Sequence, residues 1–205
     1  MKLKKWNVNL YNWYNTNTFE PLIPRYISTV DNGNFIGYLY TTKQFLIDIL
    51  QNEFVGAGPV SARQDNINQM ITNIDNIIQN TDFTVLYDYK KNLFSIGFDI
   101  EQNKLTNSYY DLLASEARQA SLIAIAKKDI PVKHWNSLSR TLTSLNKYKG
   151  LISWSGTAFE YLMPNINIKQ YESSLLDESS RFLIMSQIEY AKKLRNSLGN
   201  IRSGI

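Results

Sequence analysis

No cysteine occurs among the 205 residues, which excludes disulfides, thiolate nucleophiles and cysteine-ligated zinc. Histidine is almost as scarce. His134 stands alone, so no histidine cluster can hold a metal, and neither a metal nor another cofactor is expected. Long apolar runs are missing too: nowhere do about 18 apolar residues follow one another, as a membrane span requires. The opening MKLKKWNVNLYNWY is basic but has no apolar signal-peptide core, so a cytoplasmic chain without a membrane span is expected. There is no phosphate-cradling glycine loop, no Ser-His-Asp order and no metal motif, which weighs against nucleotidyl transfer, serine hydrolysis and metallohydrolysis. Carboxylate chemistry remains.

What is present is an ordinary globular balance, 43% hydrophobic with 20% charged, which argues against disorder and for one domain over 1–205. Four Trp, 13 Tyr and nine Phe supply flat apolar faces that either stack on sugar rings or fill a core. The net charge of +4 is spread thinly outside Lys2 to Lys5 and Lys192 to Arg202, so no nucleic-acid partner is expected.

Along the chain, the first 40 residues carry aromatics, Asn and turn signals, with Pro21, Pro24, Gly33 and Gly37, and read as ordered loop. Thr41 or Thr42 then caps a helix with Phe45, Leu46, Ile49 and Leu50 on one face, broken by Gly56, Gly58 and Pro59. A second helix keeps Ile67, Met70, Ile71, Ile74, Ile77 and Ile78 at three-and-four spacing. Between Phe83 and Ile100 a β-branched and aromatic pattern around Lys90, Lys91 and Asn92 predicts two short strands and a turn. From Ser108, SYYDLLASEARQASLIAIAKKD predicts a long helix, opened by Ser108 and Asp111 in capping-box spacing and ended by Pro131. A short helix at Thr157 to Met163 stops at Pro164, and a last helix runs from about Ser174 to Leu198 with Ile184, Ile188, Ala191 and Leu198 in its stripe. The expected fold is mainly α with one small β-hairpin.

Glu116 falls among Tyr109, Leu112, Leu113, Ala120 and Ile123, one face of the predicted helix. A carboxylate on a packing stripe must be paired, hydrogen-bonded or protonated, and a protonated one can act as a general acid. Structural pairing with an Arg is the competing reading. Glu160 follows Thr157 by three positions and closes a capping box, or binds substrate. Asp31 in STVDNGN suits either sugar hydroxyls or a turn. Trp13, Trp135 and Trp154 suit stacking platforms or core. His134 has no nucleophile beside it and reads as a structural hydrogen-bond donor.

Five stretches in order resemble the glycoamylase-like transglycosylation domain of cyclic β-1,2-glucan synthases, relatives of the endo-β-1,2-glucanases. They are NWYNTNTFEPLIPRYISTVDNGN at 12 to 34, LYDYKKNLFSIGFDI at 86 to 100, SYYDLLASEARQASLIAIAKKDIP at 108 to 131, HWNSLSRTLT at 134 to 143 and SWSGTAFEYLMP at 153 to 164. The resemblance implies a partial α/α toroid of helical hairpins around a sugar groove and a retaining transfer on β-1,2-linked glucan. It assigns Glu116 of the SEAR motif as acid/base. Trp13, Arg25, Asp31, Asn34, Tyr109, Asp111, Trp154 and Glu160 become the substrate-binding candidates.

Retention calls for a second carboxyl roughly 5 Å away as nucleophile. Where the family has a segment like GISESGI, this chain has GNIRSGI, so Arg202 stands at the nucleophile position and cannot serve, having no available lone pair. Asn15, Asn136 and Ser139 are smaller departures. The domain is accordingly expected to be incomplete at its C-terminus and inactive alone, completed by another polypeptide or a homo-oligomer. The alternative is a degenerate carbohydrate-binding or assembly fragment without catalysis.

Overall fold

The computed structural model of the chain describes residues 3–53 and 62–202, with side chains as far as residue 194. Two compact units emerge, Met1–Asp111 with Gln119–Ser137, and Leu112–Arg118 with Leu138–Ile205.

In the first unit β1 (Lys5–Trp6) turns through Asn7 and Val8, both at positive φ, into β2 (Asn9–Leu10). β3 (Tyr26–Ser28) runs directly into α1 (Thr29–Glu53), and α2 (Ala62–Asn80) packs against α1. A 3₁₀ turn at Thr84–Leu86 leads to β4 (Tyr87–Asp88), β5 (Leu93–Ser95), β6 (Gly97–Asp99), β7 (Lys104–Leu105) and β8 (Tyr109–Tyr110). They form two antiparallel sheets, β3-β6-β7 and β4-β5-β8. α3 (Arg118–Ala126) gives its first residue to the second unit and the rest to the first, which ends with α4 (Lys133–Ser137).

Ile27, Ile36, Ile67, Ile74, Ile78, Phe83 and Phe94 fill the core of this unit, each worth about 1.5–3 kcal/mol of burial. Two local devices, one polar and one steric, position α1. Asn32 is buried in the first turns of α1; its Oδ1 accepts from the Leu10 N–H at 2.8 Å, and its amide donates to the carbonyls of Leu10 and Ser28 at 3.0 and 2.9 Å. Gly33 and Gly37 let α1 approach α3, since a Cβ on Gly33 would collide with the Ala120 backbone and Cβ, and one on Gly37 with the Gln119 side chain.

In the second unit β9 (Leu142–Leu145) and β10 (Tyr148–Leu151) form a hairpin, followed by α5 (Ala158–Leu162), a 3₁₀ turn at Met163–Ile166 and α6 (Leu175–Arg202). β10 lies on α6. Gly150 makes this possible, because a Cβ there would come within 2.7 Å of the Phe182 Cβ. Ser179 Oγ accepts from the Leu151 N–H at 3.0 Å, and the Tyr161 hydroxyl donates to the Leu151 carbonyl at 2.6 Å.

The expectation of a mainly α fold with one hairpin, part of an α/α toroid, is overturned. Among the described residues about half are helical, and ten strands make four small sheets. Strands of two to four residues leave no period-two pattern long enough to read. α1 begins at Thr29, twelve residues before the expected cap at Thr41, so STVDNGN is a helix start and not a loop. The helix expected from Ser108 begins only at Arg118, because Tyr109 and Tyr110 pair with Ser95 and Phe94 and Leu112 bridges to Ser139. Tertiary pairing overrides local helix propensity there. In α6, Ile184 and Ile188 are exposed and Leu183 is buried, so the packing face differs from the expected stripe. Expectations at the β4–β5 turn with Asn92 at φ 55° and at α5 hold, and the α2 helix holds with Ile67, Ile74 and Ile78 buried, but Met70 of its expected stripe and Phe45 of the expected α1 face are exposed. The break at Gly56, Gly58 and Pro59, Lys2, and the side chains of Leu198 and Arg202 lie outside the described residues. Among the described residues no helix is long and apolar enough to cross a membrane.

Gly33→Ala tests the α1–α3 approach. Alanine is the better helix former by about 1 kcal/mol, yet overpacking costs about 1–3 kcal/mol. Urea unfolding is expected to show net destabilisation; a stabilised variant would mean the helices stand apart.

Candidate functional site

Glu116 sits in a turn immediately before α3, not on a helical stripe, and it is half-buried while its neighbours from Leu113 to Ser121 are buried. Ser115 shapes that turn. Its Oγ accepts from the Ala117 N–H at 3.1 Å and donates to Glu116 Oε2 at 3.2 Å, and its carbonyl accepts from the Arg118 N–H at 3.2 Å.

Arg118, two residues on in the same SEAR motif, was not among the expected site residues. It is only 3% exposed. One guanidinium nitrogen donates to the carbonyls of Ser115 and Glu160 at 3.2 and 2.9 Å, the other to the Tyr161 carbonyl at 2.5 Å and to Asn165 Oδ1 at 3.0 Å. Burial pulls its pKa down to about 10, against the opposing pull of the Glu116 charge. The guanidinium therefore stays protonated at neutral pH and ties the Glu116 turn to α5. The readable signal for it was a lone cation inside a run of small and apolar residues.

Glu160 closes the α5 capping box with Thr157, and its carboxylate does more. It accepts from Ser153 Oγ at 3.0 Å, from the Ser155 N–H and Oγ at 3.1 and 2.7 Å, and from the Thr157 N–H and Oγ at 3.0 and 3.1 Å. Burial alone would raise its pKa, but these donors outweigh it and hold the carboxyl below its usual range. The loop 153–157 is thereby cinched onto α5, with Gly156 at φ 71° completing the bend. Trp154, between the two serines, is 65% exposed. An exposed Trp on a loop fixed by hydrogen bonds is a preformed flat apolar surface.

The other candidates lie in the first unit. Trp13 is 50% exposed and stacks on Tyr26 at 6.5 Å. Arg25 is held bidentate by Glu101 at 2.8 and 3.2 Å. Asp31 is exposed in the first turn of α1, and Asn34 Oδ1 accepts from Gln119 at 3.3 Å. The Tyr109 hydroxyl donates to Asp88 at 3.0 Å, with Lys91 Nζ 3.8 Å above its ring. Asp111 Oδ1 is buried with no hydrogen-bond partner among the described residues. Trp135 is half-buried. Among the described residues no three metal-ligating side chains converge.

His134 is fully buried, with Nδ1 3.0 Å from the Asn92 carbonyl and Nε2 2.8 Å from Ser121 Oγ. A carbonyl only accepts, so Nδ1 carries the proton and Nε2 accepts from the serine. Edge-on contacts with Tyr87 and Phe94 complete its cage. Burial lowers its pKa despite the Asn92 bond, in keeping with a structural role.

No family model matches the sequence. Over 118 residues, 58% of the chain, it is 39% identical to "Cyclic beta-(1,2)-glucan synthase NdvB" of Rhizobium meliloti (strain 1021), a match that covers 4% of that protein's length. This identity relates the chain to cyclic β-1,2-glucan synthase.

Two measurements test these assignments. Glu160→Gln cannot satisfy the same five donors, and a loss of about 1–3 kcal/mol at pH 7 is expected. Because the folded pKa is depressed, that contribution is present above the unfolded value of about 4.3 and lost as pH falls below it; equal stability of variant and parent at pH 7 would refute the anchor. For His134 the folded pKa is lowered, so the unfolded chain protonates first and stability falls as pH drops below about 6.5. The stability advantage of the parent over His134→Gln should shrink between pH 7.5 and 5, and a constant difference would contradict a buried neutral imidazole.

Proposed function

Taking the relation to cyclic β-1,2-glucan synthase as premise, we propose that this chain binds β-1,2-linked glucan as a glycosidase/transglycosylase-type element, with Glu116 as acid/base. The observation that carries the binding part is Trp154, exposed on a loop anchored by Glu160. A pyranose presents an apolar C–H face suited to such a ring, and a fixed loop loses little entropy on binding. Glu116 is supported as acid/base by its partial exposure within an otherwise buried turn. In a retaining transfer it would give its proton to the leaving glycosidic oxygen, then take one from the incoming hydroxyl. In the first unit the exposed Trp13 and Asp31 are proposed as separate sugar contacts.

Catalysis needs a second carboxylate as nucleophile. Glu160 is committed to its five donors, and the matching sequence position is Arg202. The chain alone therefore binds glucan without turning it over.

Isothermal titration with β-1,2-gluco-oligosaccharides, run beside a product assay, tests this reading. Binding without new products is expected, and Trp154→Ala is expected to weaken it about tenfold, or 1.4 kcal/mol. Absence of any binding by the parent chain would sink the reading. New transfer products would overturn the claim of inactivity, and Glu116→Gln should then abolish them with little loss of stability.

A further inference from the structure

Beside the 153–157 loop the second unit has a cavity of about 450 Å³, within the range of roughly 300–1,000 Å³ of small-molecule sites. One wall is a single face of α6, where Phe182, Ser186 and Tyr190 recur every four residues with Gln187 beside them. Leu183, Gly156 and Tyr161 complete the lining. Tyr161 is fixed by its bond to the Leu151 carbonyl, and Gly156 has open space where a side chain would start.

The lining has a distinctive chemistry. Phe182 and Tyr190 offer aromatic surface, Gln187 and the Tyr190 hydroxyl offer hydrogen-bond groups while the Ser186 hydroxyl donates to the Phe182 carbonyl at 2.7 Å, and among the described residues no charged side chain lines it. A phosphate, nucleotide or acidic polymer would find no counter-charge there. A neutral ring with one apolar face and a rim of hydroxyls matches both halves of the lining. We infer that this groove is a subsite for one glucosyl stretch of a neutral β-glucan, with Tyr190 as its stacking residue and Gln187 binding hydroxyls. The inference rests on the glucan-binding reading above and adds to it a place distinct from Trp154.

Tyr190 is 65% exposed, so its removal should leave the fold intact, a point checked by thermal unfolding. The test titrates β-1,2-linked glucotetraose into the full chain, into Tyr190→Ala and into Gln187→Ala, with size-exclusion chromatography of each. The expected result is binding by the parent, weakened about tenfold or more in Tyr190→Ala and severalfold in Gln187→Ala, with unchanged oligomeric state. Equal affinity of all three proteins overturns the subsite while leaving glucan binding standing. No binding by the parent removes the broader reading, and the subsite with it. A dimeric parent that becomes monomeric in Tyr190→Ala shows a second copy occupying the groove, which also overturns it.

Discussion

Arg118 carries a positive charge into the interior of the second unit, where the cost of leaving water is offset by four oxygen acceptors drawn from separate stretches of chain. The guanidinium's planar fork explains why arginine is used, since one residue satisfies carbonyls on the 115 turn, on α5 and on the following 3₁₀ turn together. Lysine presents a single nitrogen and could not reach all of them. Glu116 lies two residues away, and its charge favours the buried cation. The same carboxylate is half-buried and thus has a structural duty beside any other.

From that clamp the rest of the second unit follows. With the carbonyls of Glu160 and Tyr161 held, α5 is fixed, and Glu160 can gather the serine and threonine donors of the 153–157 loop. The loop then presents Trp154 outward and Gly156 toward the groove on α6. Asn165 continues the chain of contacts to Gln170, whose amide donates to Asp177 at 2.6 Å at the start of α6. Polar groups that would be expensive if unpaired here specify one arrangement of loop and helices.

How far this was legible differs by element. The isoleucine stripe of α2 and the Thr157–Glu160 spacing name their structures, because helix periodicity and capping act over a few residues. The turn at Asn92 is equally local. The segment 108–117 misleads for the opposite reason: Ser115 and Ala117 suit a helix, but strand pairing of Tyr109 and Tyr110 and the bridge at Leu112 depend on residues far along the chain. The helical argument for Glu116 gives way to a turn, and the lone cation marks Arg118 in the sequence but not its partners, three backbone carbonyls and Asn165 Oδ1, which only the fold brings together. Gly33 and Gly37 suggested tight loop and instead mark a close helix crossing. Phe182 and Tyr190 lie on a helix face whose role depends on what stands opposite it.

Hydrogen–deuterium exchange of the full chain with and without β-1,2-gluco-oligosaccharide tests the central claim, that the clamped second unit is the sugar-binding surface, most directly. The account predicts added protection in residues 153–157 and along α6 from Phe182 to Tyr190. Unchanged exchange in both segments, with protection gained elsewhere or nowhere, would contradict it.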